Sequence, residues 1–345
     1  MASTGDPPCV ICGIRLYPQT FRHGVGPHHW EPDRWKQQVI ALSGPTWSRF
    51  DKGPRTLILS DKDVTRCFTR TSFGSKEMHL EPSDERVTLQ EPVHLTWDQI
   101  CSVHERYKKR TYLGIHSACE GIANKVMRTP RPGKAGIRSL GDLWMTLERR
   151  SQKSNWEHNP KSWTTTISRE QCIYERTPRL SAEQWWNSDP LHIPNLTASF
   201  LSNLQPYKPT SLSHQLRYFE KLPPNIKQHI MFLVFQQELP FRCTYVMPQH
   251  YWKEVFFRIP FSWDLDRDLI DKTSSFDMDW EKLTRQIMCP AETTLERRWG
   301  EGEAKPWNYQ DCGLTVPPGL TNRRRIWQIV EEMYPDDIEM KHWEE

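Results

Sequence analysis

Two short cysteine motifs carry the clearest chemistry in this chain. Cys9-x-x-Cys12-Gly13 stands near the start, and His116-x-x-Cys119 follows much later. Two thiolates at the first spacing can converge on one ion, while the glycine after them lets backbone N–H groups face the sulfurs. Tetrahedral closure needs a second half-site. His116 and Cys119 lie at the expected start of a helix, where both side chains can point one way. Cys9, Cys12, His116 and Cys119 are therefore expected to hold a structural zinc. Four protein ligands leave no open position, so such a metal would hold structure and not carry catalysis. Two other readings of the thiols stay open at this point: free structural cysteines, and a redox dithiol, for which no strand–helix context precedes Cys9. Cys101-x-x-His104 competes as the second half-site but falls in the middle of a predicted helix.

Other chemistry is thin. The sequence has no phosphate loop, nucleophile elbow, kinase signature or zinc-hydrolase helix. His28-His29, with His23 nearby, lies in a Gly/Pro-rich stretch and is the one place where a divergent enzyme would be sought. No acid or nucleophile is placed beside it. Asp277-x-Asp279 offers carboxylates to a cation, but no calcium loop follows. The chain is expected not to be an enzyme.

The composition sets the frame for these residues. The 345 residues suffice for one large domain or two ordinary ones. Hydrophobic residues make up only 37%, but 16 Trp supply large buried areas, so a folded core is expected. A net charge of +3 gives no general attraction for nucleic acid, and none is expected as a partner. No apolar run reaches the ~18 residues of a membrane span. The first residues have neither a basic nor an apolar leader segment, so the nine cysteines read as reduced thiols in a cytoplasmic or nuclear protein. The Asn195-Leu196-Thr197 sequon then reads as coincidence.

The elements that must position the cysteines are short, because 27 prolines divide the chain. The expected fold is mainly α, with irregular Pro/Trp-rich stretches and minor β segments. Residues 55–59 and 86–89 suit strands or extended loops. Thr96 with Gln99 is a capping-box pattern, and Trp97, Ile100, Val103, His104 and Tyr107 share one helical face. A second helix is predicted from Ser117, ending at Pro130, and a third from Ser139, with Leu140, Leu143, Trp144 and Leu147 inside. Residues 1–150 form an N-terminal domain, 151–215 a linker-like Pro/Ser/Asn-rich segment, 216–261 a helical module, and 262–345 a C-terminal segment. That last segment ends in a basic amphipathic helix predicted to start at Thr321 or Asn322. Arg323, Arg324 and Arg325 at its N-terminus would oppose the macrodipole. The acidic run Asp264, Asp266, Asp268 and Asp271 is one candidate to receive these arginines, and a nuclear-import signal or an acidic partner is the other.

The module from Leu222 to Phe261 has the most pronounced pattern. Leu222, Ile226, Ile230, Leu233 and Val234 follow helical spacing, with Pro223 and Pro224 in the first turn. Leu239 to Val246 alternates less cleanly, and Tyr251-Trp252-Val255-Phe256-Phe257 forms an aromatic cluster. So short a module cannot bury all these side chains alone, and the surplus must meet a partner or the rest of the chain. Leu222-Pro223-x-x-Ile226-x-x-x-Ile230-x-x-Leu233, then Leu239, Val246 and Tyr251-Trp252, is similar to the F-box. The chain departs from that motif at Asn225, Pro240 and Pro248. Taken in order, Cys9-x-x-Cys12-Gly13, His116-x-x-Cys119, Phe261-Ser262-Trp263-Asp264-Leu265-Asp266 and Asn322-Arg323-Arg324-Arg325-Ile326-Trp327 resemble a group of filamentous-fungal F-box-like proteins. The resemblance implies an F-box-like helical module embedded in a larger single-chain fold. It also implies an adaptor that joins a substrate protein to an SKP-family member of a cullin–RING ubiquitin ligase. Leu222, Pro223, Ile226, Ile230, Leu233 and Trp252 would then face that member. The alternatives are an interaction protein whose box is buried, and a divergent enzyme at the His23–His29 loop.

Overall fold

Described in the computed structural model are residues 9–14, 34–37, 39–43, 61, 64–71, 77–82, 93–96, 113–129, 136–147, 185, 188–208, 218–236, 239, 241–273, 277–291 and 307–333. The segments 55–59 and 86–89, the helix after Thr96, the Cys101–His104 pair and the His23–His29 loop lie outside the described residues. Among the described residues helix outweighs strand, and no helix is long and apolar enough to cross a membrane.

The chain divides into two compact units, one of Met1–Leu191, Thr293–Ala304 and Ile326–Glu345, the other of His192–Glu292 and Lys305–Arg325. These boundaries differ from those read in the sequence. The stretches 216–261 and 262–292 belong to one unit, because the helices on either side of residue 262 share a core.

The first unit contains helix α1 (Arg34–Gln37) and strands β1 (Val39–Ser43), β2 (Thr65–Thr71), β3 (Glu77–Pro82), β4 (Val93–Thr96) and β5 (Leu113–His116). They form one antiparallel sheet in the order β4-β3-β2-β1-β5. Thr96 is thus the last residue of a strand. On β1, Ile40 stands opposite Phe68 on one side and Ile115 on the other. Val39, Ile40, Leu42 and Ile115 are buried, as in a strand covered on both faces. Helix α2 (Ser117–Arg128) follows β5 with no intervening loop and buries Ala118, Cys119, Ile122, Ala123 and Val126. Residues 140–147 are helical and bury Leu143, Trp144 and Leu147, as their spacing predicts.

The second unit contains α4 (Leu196–Asn203), α5 (Pro224–Gln236), α6 (Gln249–Phe257), α7 (Arg267–Thr273) and α8 (Trp280–Met288), counting residues 140–147 as α3. Part of the predicted linker is therefore a helix, with Phe200 in the core edge-on to Phe256 at 5.6 Å. Phe256 also meets Trp280 at 5.3 Å, which joins α6 to α8. Asp279 caps α8 by accepting from the Lys282 N–H, and Trp280, Leu283 and Ile287 form its buried stripe. Its carboxylate also accepts from the Tyr245 hydroxyl, so this half of the proposed cation pair serves the fold.

Residues 239 and 241–248 are not helical. Glu281 explains their course. Its carboxylate, fully buried, accepts from the backbone N–H groups of Thr244 and Tyr245 at 2.7 and 2.8 Å, and from Arg285 Nε at 2.8 Å. Tyr245 adopts φ 51°, a left-handed backbone that a helix cannot contain.

Helix α9 (Pro318–Glu331) starts earlier than Thr321, with Pro318 in the first position, where its missing N–H costs nothing. The three arginines thus lie inside the helix and do not oppose its dipole. Arg323 forms a two-point pair with Asp264, Nη1 to Oδ1 at 2.7 Å and Nη2 to Oδ2 at 2.8 Å, and donates to the Phe261 carbonyl. Arg324 points to the carbonyls of Met288 and Cys289. Two of the remaining acids have other duties: Asp266 caps α7 at Leu269, and Asp271 pairs with Lys253 at 2.7 Å.

Candidate metal centre

Local backbone geometry brings the four predicted ligands together. Residues 9–14 form a tight turn in which Cys9 N–H donates to the Ile14 carbonyl and Gly13 N–H to the Cys9 carbonyl, both at 2.8 Å. Gly13 has φ 73°, the left-handed conformation the turn requires and a glycine adopts without strain. Val10 N–H donates to the Gly114 carbonyl, which fixes the turn beside β5.

The second half-site sits at the β5–α2 junction. His116 occupies the N-cap position yet makes no capping hydrogen bond with its side chain. Its ring turns to the thiols instead, with Nδ1 3.4 Å from Cys12 Sγ and 3.9 Å from Cys119 Sγ. Cys119 is three residues on, on the same helical face. Trp35 covers the imidazole, ring centroids 4.9 Å apart.

Cys9, Cys12, His116 and Cys119 are all buried, and their ligand atoms lie within 4.8 Å of one another. Zinc–sulfur bonds of about 2.3 Å and zinc–nitrogen bonds of about 2.0–2.1 Å place tetrahedral ligand atoms roughly 3.5–3.8 Å apart. The two nitrogen–sulfur distances bracket that range, and the widest separation of up to 4.8 Å needs the ligands to close by about 1 Å on an ion, so the set is consistent with a structural zinc of the Cys3His type. All four positions come from the protein, which leaves none for a reacting molecule.

The protonation of the thiols fits the same reading. Burial pushes Cys9 up, but hydrogen bonds from Cys119 and Cys12 and the nearby His116 ring outweigh it, holding the thiol well below its ordinary value. Burial and hydrogen bonds to Cys12 and Cys9 push Cys119 well above it. Loading a metal must displace the Cys119 proton, so affinity falls as pH falls.

The residues expected to face a partner are not gathered on one surface. On α5, Ile226 and Leu233 are each 41% exposed and Phe232 is 51% exposed. Pro223 is exposed, and Leu222 and Ile230 are half-buried. Trp252 is 2% exposed; it lies in the core of the second unit beneath the Arg285 guanidinium, 4.9 Å from its ring. The spacing of Tyr251-Trp252 on a short amphipathic helix could not reveal which of the two faces inward. Glu281 escaped the sequence reading, although Asp279 before a Trp280-Leu283-Ile287 stripe marks the helix that carries it.

No protein-family model, no curated protein and no solved structure matches the chain.

Proposed function

We propose that this chain is a non-enzymatic binding protein of the cytoplasm or nucleus. Helix α5 docks on an SKP-family member of a cullin–RING ligase, and the remainder of the chain holds a substrate protein. The observation that supports this most is the open apolar face of α5. Ile226, Leu233 and Phe232 are large side chains left in contact with water on one helix. Covering what remains open of each would contribute up to roughly 1.5 kcal/mol before ordering costs. Helix-in-groove recognition uses anchors at the i, i+7 spacing of Ile226 and Leu233, and Phe232 stands to one side of them. The closed ligand set of the metal centre agrees with a scaffold role for the first unit.

The buried Trp252 and the non-helical 241–248 segment favour a second reading, an interaction protein outside the ligase. One experiment separates them. Purified full-length chain and an Ile226→Asp/Leu233→Asp variant are each tested for retention of a purified SKP-family adaptor. Both substituted positions are exposed, so the variant should keep its circular dichroism. The ligase reading expects wild-type binding weakened at least tenfold in the variant. A folded wild type that does not retain the adaptor at about 10 μM contradicts it.

A further inference from the structure

Among the described non-glycine residues only Asn195 and Tyr245 have a positive φ. Asparagine tolerates that region, whereas a bulky aromatic is strained there. Such strain persists where the surroundings over-determine it, and it gathers at binding sites. Here the buried Glu281 carboxylate accepts from the N–H groups of Thr244 and Tyr245 at 2.7 and 2.8 Å, and Arg285 Nε holds Glu281 in turn at 2.8 Å. The clamp presents the half-buried Tyr245 ring, 5.5 Å from the half-buried Tyr207 ring, with 54° between their planes. Tyr207 is fixed independently. Its N–H donates to the Asp277 carbonyl at 2.6 Å, and the Gln205 carbonyl accepts from the Asp279 N–H at 2.7 Å.

The Asp279 carboxylate adds charge to this pair of rings. Its Oδ2 accepts from the Tyr245 hydroxyl at 2.9 Å and its Oδ1 from the Lys282 N–H at 3.0 Å. Among the described residues it pairs with no cation: Arg285 is held on Glu281, and the Lys282 ammonium turns to Gln205 Oε1 at 2.9 Å. Burial first, and then Asp279, raise both phenols, so the rings stay neutral in the field of that carboxylate. Two ring faces that meet at an angle beside an uncompensated negative charge attract a cation. Each Asp279 oxygen already accepts a hydrogen bond, so a plain, strongly hydrated ammonium would lose its water for little return. A methylated ammonium is bulkier and weakly hydrated, and its methyl groups pack on ring faces.

We propose that Tyr207 and Tyr245, backed by Asp279, form an aromatic corner that binds the trimethylammonium group of a methylated lysine on a partner protein. The tyrosines act through their ring faces and Asp279 through its charge. Phe241 and Val246, 56% and 41% exposed on the same segment as Tyr245, offer apolar surface to the residues beside that lysine. Choline carries the same head group without such neighbours, which favours the lysine. The corner shares no side chain with the exposed face of α5, so it does not rest on docking to a ligase.

The test is saturation-transfer NMR on the full-length, zinc-loaded chain. The probes are a short peptide with leucine on each side of a trimethylated lysine, the same peptide with plain lysine, the same peptide with carbon in place of the ammonium nitrogen, and choline. The trimethylated peptide should bind about tenfold more tightly than either of the other peptides, and more tightly than choline. Tyr207→Phe keeps the ring face and should keep this binding, whereas Tyr207→Ala should weaken it about fivefold. Asp279→Asn keeps the helix cap but removes the charge, and should weaken it about threefold. No saturation by the trimethylated peptide at about 10 mM overturns the proposal. So does equal binding of the neutral or plain-lysine peptide, or a Tyr207→Ala variant that binds like the wild type. Choline bound as tightly as the trimethylated peptide overturns the assignment to a lysine. The comparison of probes on the wild type does not depend on how any variant folds.

Discussion

The buried Arg323 guanidinium is met at both Asp264 oxygens and at the Phe261 carbonyl, and it stacks 3.9 Å from the Trp263 ring. Lysine can reproduce the charge but not the planar fork. Arg323→Ala should cost about 2 kcal/mol, because it removes a buried, stacked guanidinium and leaves the Phe261 carbonyl without its donor, while the Asp264 carboxylate is still partly open to water. Arg323→Lys should cost roughly 1–2 kcal/mol. Urea unfolding followed by tryptophan fluorescence measures both, and a loss below about 0.5 kcal/mol for the alanine variant would show the pair to be idle. The sequence made an arginine–aspartate pairing legible, since three arginines and four aspartates needed partners. Which arginine meets which aspartate was not legible. That choice depends on where α9 starts, and Pro318 moved the start by almost a turn.

At the scale of elements, α2 and the helix at 140–147 were readable from periodicity, because long amphipathic stripes override local ambiguity. The sheet was harder. Strands β1 and β5 are short and buried, and short apolar runs carry no period that separates strand from helix. The course of 241–248 was not readable at all, because it follows from Glu281, a residue far along the chain. The link between α8 and the 3-10 turn Tyr309–Cys312 has a consequence that pH reveals. The Tyr309 hydroxyl donates to Ile287 at the last turn of α8, and burial pushes its phenol well above the ordinary value. A pKa raised in the fold means stability complete below the unfolded value of about 10 and lost as pH rises past it. Wild-type stability should fall by up to about 1.4 kcal/mol per pH unit from this phenol alone above pH 10. Tyr309→Phe should lose about 1 kcal/mol at neutral pH, for the hydrogen bond, and show a shallower alkaline decline. Equal slopes in the two proteins would contradict the assignment. Tyr245, also pushed up, with its hydroxyl on Asp279, keeps part of the slope in the variant.

At the scale of the whole molecule, the four metal ligands are what the sequence and the structure share most closely. Cys9-x-x-Cys12 and His116-x-x-Cys119 were each weak as isolated motifs; a sheet edge and a helix start bring them within ligand distance of one another. Zinc there would join the ends of a long loop, which favours the folded unit by restricting the unfolded chain. The first unit should therefore depend on the metal while the second keeps its own core. The measurement that tests this most directly is native mass spectrometry of the full-length chain purified without chelator, beside Cys119→Ser. One zinc per wild-type chain is predicted, lost in the variant together with roughly 10 °C or more of thermal stability in the transition of the first unit. A folded wild type that carries no zinc when zinc is supplied, with Cys9, Cys12 and Cys119 all open to alkylation, would contradict the account.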